Sequence, residues 1–286
     1  MTCAKMKYYT TLKSISSGHK SIARQIILSH KNVDTINRLL VLVEGDDDRD
    51  VYQALFADNK VDIKDCCGCA AVSAVHETIK VETKWKYISI LDSDFKRIEG
   101  LPRHDNNMFF TDWHDSEILM VHFESVTKAV MYNVLGKVPE YDIKERLYYE
   151  LHYVSLLKWF NMHRHFSYTF KDLDLAHESW GKQISEATVI QHMVPSQNSP
   201  KAFPIKQYNK FKKDHPDSDF EQITNGHDFI SRWSAILKNE FKEQYSDHDF
   251  RDLICSAFTT KDAVKTQLYA EIKEWSKINS LDIMAQ

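Results

Sequence analysis

The feature that most constrains this fold is a run of five apolar residues, Leu39-Leu40-Val41-Leu42-Val43, cut off at once by Glu44-Gly45. A short unbroken apolar run bounded in this way is the pattern of a strand covered on both faces. The next fifty residues repeat the scheme. Asp46 to Ala57 spaces Val51 and Leu55 for one helical face beside Tyr52 and Phe56, and its early acids complement the helix dipole. Val61-Asp62-Ile63 reads as a second strand, and Ala70 to Glu82 carries Val72, Val75 and Ile79 at helical spacing. Tyr87 to Leu91 is a third strand ending in Asp92-Ser93-Asp94; Met108 to Phe110 is a fourth ending in Thr111-Asp112. Strands alternating with helices predict an α/β fold, a mostly parallel sheet flanked by helices.

The second half changes character. Tyr141 to Phe160, Phe229 to Phe241 and Lys261 to Trp275 read as helices. Met193 to Phe220 gathers four of the six prolines and is expected to be a loop-rich insertion near 193–220. The division expected is a basic N-terminal segment, 1–37, packing on the core; an α/β domain, 38–123; and a largely helical C-terminal region, 124–286. The 286 residues suffice for this. No stretch approaches the ~18 consecutive apolar residues of a membrane span. The opening MTCAKMKYYTTLKS lacks the apolar core of a secretory signal, so a cytoplasmic protein without membrane attachment is expected. Five cysteines without framework spacing suit a reducing compartment. Cys66-Cys67-Gly68-Cys69 lacks the second spaced pair of a structural zinc site and is expected to place buried cysteines at a strand end.

Charge is distributed unevenly. Residues 1–43 hold seven Lys and Arg against Asp34 alone, whereas residues 44–58 hold six acids against Arg49 alone. In an open parallel sheet the site lies beyond the carboxyl ends of the strands. Those ends carry Glu44, then Asp92 and Asp94, then Asp112 and Asp115. Clustered carboxylates repel unless a cation neutralises them, and oxygen donors favour magnesium or manganese. A calcium loop starting at Asp46 is excluded by Val51 and Ala57 at its sixth and twelfth positions. Asp46 and Asp50 read as helix-start acids that cap.

Val43-Glu44-Gly45-Asp46-Asp47-Asp48 followed by Ile90-Leu91-Asp92-Ser93-Asp94 resembles the Toprim fold, with its glutamate after the first strand and Asp-x-Asp after the third. The closer likeness is to OLD-type Toprim nucleases, which carry a second acid four residues past the glutamate, here Asp48. Thr111-Asp112-Trp113-His114-Asp115-Ser116-Glu117 and Asn225-Gly226-His227-Asp228 further resemble a bacterial Toprim family of anti-phage defence loci, one that includes the nuclease effector of the PARIS system. The resemblance implies a metal-dependent nuclease acting as a toxic effector of abortive infection. It implies that Glu44 serves as general base or metal ligand, with Asp48 beside it. Asp92 and Asp94 would hold magnesium or manganese, and Glu117 would complete a second metal position. Asp47, Asp112, His114, Asp115, His227 and Asp228 would stand around those ligands. It also implies transfer RNA as the first substrate to consider, a partner ATPase that holds the nuclease inactive, and a homodimer on release.

For nucleic acid the best stretch is Lys201, Lys206, Lys210, Lys212 and Lys213, interleaved with Phe203, Tyr208 and Phe211. Cations on phosphates with aromatics stacking on bases is a single-strand binding mode. Solvated loop lysines explain the same residues, and a turn capped by Asp228 explains the Asn-Gly-His-Asp motif. Two rival functions stand beside the nuclease. One is a phosphatase of the haloacid dehalogenase type using Asp92 as nucleophile, although Lys96 stands where its motif wants Thr or Val. The other is a catalytically silent Toprim scaffold that binds a partner ATPase or nucleic acid.

Overall fold

The computed structural model describes residues 17–178, 181–196, 199–216 and 218–285. The first part of the basic N-terminal segment, residues 1–16 with Lys5, Lys7 and Lys13, lies outside them. The chain divides into two compact units, the first of residues 1–92, 102–112 and 258–286, the second of residues 93–101 and 113–257.

The first unit is a four-stranded, wholly parallel sheet in the order β2-β1-β3-β4, with β1 Leu39–Val43, β2 Val61–Asp65, β3 Tyr87–Leu91 and β4 Met108–Phe110. Every residue of β1, β3 and β4 is buried, as an unbroken apolar run requires. Helices α1 (Ser17–His30), α2 (Asp47–Gln53) and α3 (Cys69–Glu82) belong to this unit. On one face of the sheet, Ala23 and Ile26 of α1 and Val72, Val75 and Ile79 of α3 pack with Leu40, Leu42 and Leu91 in one apolar cluster. The C-terminal helix Gln267–Ile278 also belongs here: the Trp275 ring meets Phe109 of β4 edge-on, with centroids 6.4 Å apart. A boundary placed at 123 in sequence therefore differs from the one the chain adopts. The last helix supplies apolar cover for the sheet, which chain order alone does not reveal.

The second unit is helical: α4 (Ser116–Val121), α5 (Glu124–Leu135), α6 (Ile143–His163), α7 (Ile205–Asp214), α8 (Gly226–Ile236) and α9 (Asp247–Ala257), with a short two-stranded antiparallel ribbon of Thr169–Phe170 and Met193–Val194. A π-helical turn, Leu237–Phe241, prolongs α8. Buried in this unit, Arg232 reaches Glu150 at 2.6 Å and the carbonyls of Leu175 and Glu178, so its charge is paired and its donors are used. The stretch expected to be loop-rich contains α7. Its Tyr208 and Phe211 are buried against Phe160 of α6, at ring distances of 5.2 and 5.4 Å, because three residues apart they share one helical face. Lys261 to Trp275 is not one helix: Thr260–Ala263 and Gln267–Ile278 are separate, the second capped by the Thr266 side chain on the Tyr269 N–H.

Candidate functional site

In the first unit the strand order places a topological switch point between β1 and β3: the chain leaves β1 toward β2 and returns on its other side. The crevice beyond the carboxyl ends at such a point is where open α/β sheets bind ligands. Leu42 is level with Ser89, so the register extended by two residues sets Glu44 beside Leu91 and next to Asp92. Glu44 Oε1 accepts the Asp92 backbone N–H at 3.1 Å. Two acids 48 residues apart in sequence are thus neighbours at the tips of adjacent strands.

The loop behind them is built to hold this position. Asp48 is buried, and its Oδ2 accepts the Gly45 N–H at 2.9 Å, closing the turn from β1 into α2. Asp46 occupies the cap position but makes no side-chain cap; it pairs with Arg49 at 2.6 Å. Asp47 and Asp50 are exposed in the first turn. On the other flank the chain leaving β2 donates to the same strand end, Cys66 N–H to Val43 and Gly68 N–H to Glu44 O at 3.0 and 2.7 Å. That turn takes Cys67 to φ 62° and Gly68 to φ 109°, and the latter is a conformation glycine alone adopts without strain. Of the cysteine cluster Cys66 is fully buried, Cys67 exposed and Cys69 intermediate. Burial, with the Asp65, Cys67 and Glu44 charges adding to it, pushes the Cys66 thiol up to about 12.

Asp112 also lies in this unit, and it serves as a cap. Its carboxylate accepts the backbone N–H groups of Gln267 and Leu268 at 2.5 and 2.7 Å, at the start of the C-terminal helix.

The remaining acids belong to the second unit. Asp94 adopts φ 46°, a left-handed conformation uncommon for a residue other than glycine, and pairs with Lys96 at 2.5 Å. Its N–H donates to His114 O at 2.6 Å. His114 is buried, and burial holds its ring below the usual histidine range despite the Asp94 charge. Asp115 caps α4 on the Ile118 N–H and also accepts the Gly226 N–H at 2.6 Å. Burial and then the Glu117 charge push Asp115 well above the ordinary carboxylate range. At Glu117 burial acts upward too, but the charge and hydrogen bond of Arg251, 2.6 Å away, together with His227 and a backbone hydrogen bond, outweigh it, so this carboxyl lies below its usual value.

The cation that neutralises Glu117 in this unit is therefore an arginine. Arg251, 134 residues downstream, is the functional neighbour that sequence reading missed. The one signal in the sequence was its place between Phe250 and Ile254 on the apolar side of α9. His227 is largely exposed and its Nδ1 stands 4.0 Å from Glu117. Asp228 pairs with Lys158, and the cap of α8 is Asn225, on the Asp228 N–H, instead of Asp228 itself. Gly226 explains the motif: a Cβ there would lie 2.5 Å from Asp115 Oδ1 and closer still to Glu117 Cβ.

The lysine stretch divides. Lys210 pairs with Asp214 and Lys212 with Glu186, and Lys212 also sits over the Tyr208 ring. Lys201, Lys206 and Lys213 are exposed. With Tyr208 and Phe211 packed inward, these two aromatics are not presented for stacking on bases.

Fold and acids together define a parallel α/β protein with a carboxylate pair at its switch point. Comparison with protein-family models, with curated proteins and with solved structures gave no match. Among the described residues no helix is long and apolar enough to cross a membrane.

The donor set fits a hard divalent cation in kind, since Glu44 and Asp92 offer carboxylate oxygens from adjacent strand tips. They are not drawn tight: among the described residues, Glu44, Asp48 and Asp92 are not a trio whose ligand atoms all lie within 4.8 Å of one another.

Proposed function

We propose that this protein is a divalent-metal-dependent nuclease that hydrolyses phosphodiester bonds at the carboxyl edge of its sheet. The observation that supports this best is the Glu44–Asp92 neighbourhood at the β1–β3 switch point, held by the 3.1 Å hydrogen bond. Glu44 and Asp92 would hold magnesium or manganese, and a bound ion would supply charge neutralisation and polarise a phosphoryl oxygen. The Asp92 N–H fixes one oxygen of Glu44, which orients the carboxylate to take a proton from an attacking water. Asp48 keeps the turn closed through the Gly45 N–H and so sets where Glu44 stands. The roles of Asp94 and Glu117 rest on the family resemblance alone. That resemblance also directs the choice of substrate to RNA, transfer RNA first, and then DNA. It further suggests a toxic role in anti-phage defence in the cytoplasm, under restraint by a partner ATPase, with dimerisation on release.

The test is incubation of purified protein with transfer RNA, messenger RNA and plasmid, with magnesium or chelator, beside Glu44→Ala. Metal-dependent cleavage that falls by at least a hundredfold in a folded Glu44→Ala is expected. Cleavage undiminished in that variant would sink the mechanism. Absence of cleavage together with no magnesium binding at the strand tips would favour the scaffold reading.

A further inference from the structure

Away from the carboxyl edge, the first unit holds a second group of metal-ligating side chains. His76 of α3, its neighbour Glu77, and Asp105 in the segment leading to β4 bring one ligand atom each within 4.8 Å of the others. His76 is fully buried. Its Nδ1 lies 2.8 Å from the Ser89 hydroxyl in the middle of β3, and its ring packs edge-on against Tyr87 at 5.0 Å, so the imidazole is fixed in orientation. Nε2 is buried without a hydrogen-bond partner and faces Asp105 Oδ1 at 3.7 Å.

That distance is the anomaly. A proton on Nε2 would find the carboxylate beyond hydrogen-bond reach. A lone pair on Nε2 would face another acceptor across the same gap. Neither form satisfies the atom, and an unsatisfied buried polar atom is costly. A cation between the two resolves both cases. With zinc bonds of about 2.1 Å to nitrogen and oxygen, a 3.7 Å separation corresponds to an angle of roughly 124° at the metal, near tetrahedral.

The other contacts are compatible with this. Lys80 holds Asp105 Oδ2 at 2.5 Å, and the Asn107 N–H holds Oδ1 at 2.8 Å, so a second lone pair of Oδ1 remains for the ion. Lys80 is half exposed on a flexible stem and can move as charge arrives. A ligating imidazole usually donates its other ring N–H to a fixed oxygen acceptor, and the Ser89 hydroxyl oxygen can take that place here.

We propose that His76 Nε2, Glu77 and Asp105 form a binding site for a zinc-like first-row divalent ion, with water completing the coordination. One imidazole nitrogen with two carboxylates suits such an ion better than magnesium. The site would clamp α3 to the segment entering β4, and it does not depend on the nuclease reading.

The experiment is titration of the metal-free full-length protein with Co²⁺ alone, read by visible absorption, followed by displacement with Zn²⁺. Expected are ligand-field bands for one equivalent that Zn²⁺ abolishes, that persist in Glu44→Ala, and that weaken at least tenfold in affinity in Glu77→Gln and Asp105→Asn. Glu77 is exposed, so its variant will fold even if one at His76 does not. Absence of binding, affinity unchanged in both variants, or bands lost in Glu44→Ala would each overturn the proposal.

Discussion

Replacing Arg251 by Met isolates a buried ion pair of the second unit. Arg251 Nε lies 2.6 Å from Glu117 Oε1, and the two side chains are only 9% and 5% exposed. Without the guanidinium, Glu117 retains the Ser116 hydroxyl at 3.3 Å and a distant contact with exposed His227, neither of which replaces a buried countercharge. Stranding one partner of a buried pair costs about 3–5 kcal/mol. For a unit of this size that lowers the apparent Tm by about 6–20 °C. The pH dependence gives the sharper signature. In the wild type Glu117 titrates below its reference value of 4.5, so the pair's contribution is present above that value and is lost as pH falls below it. In Arg251→Met the charge and the hydrogen bond of Arg251 are both lost, burial is opposed only by exposed His227 and a backbone hydrogen bond, and Glu117 is expected to move up from its wild-type position. The deficit is then largest near pH 8 and narrows toward pH 5 as the carboxyl takes up a proton. Urea unfolding at both pH values measures it, and Arg251→Met with Glu117→Gln should recover more than half. A deficit under about 1 kcal/mol, or one equal at both pH values, would refute the assignment of Arg251 as the charge that holds Glu117 ionised.

Gly226→Ala should cost about 2–3 kcal/mol through overpacking against Asp115 and Glu117, seen as a lower unfolding midpoint; an unchanged midpoint would contradict the close approach. Asp112→Ala should cost about 1–2 kcal/mol and speed amide exchange at Gln267 and Leu268, since it removes their acceptor. At pH 8 iodoacetamide should label Cys67 and spare Cys66, whose thiol burial raises to about 12; peptide mapping that found equal labelling would refute this.

The strands were legible because each is an apolar run ended by an acid or a turn, a pattern that depends on neighbours a few residues away. Leu39 to Val43 and Tyr87 to Leu91 occupy the strands their composition predicts. The same logic located Glu44 and Asp92, since a strand's end is a local event. Helix interruptions were less legible: Thr266 breaks Lys261 to Trp275 by capping a new helix, and α7 forms where prolines suggested a loop because its aromatics find Phe160.

Residue type and short-range spacing thus determined by themselves that the chain carries a parallel α/β core with carboxylates at its strand ends. Which of those carboxylates are already committed was decided only in three dimensions. Asp112 caps a helix 155 residues away, Glu117 is neutralised by an arginine 134 residues away, and Gly226 is needed where Asp115 and Glu117 leave no room for a Cβ. The physical reason is the range of the interactions. Strand and helix patterns arise from contacts within a few residues, whereas capping, charge pairing and close packing act between surfaces that meet only after the chain has folded.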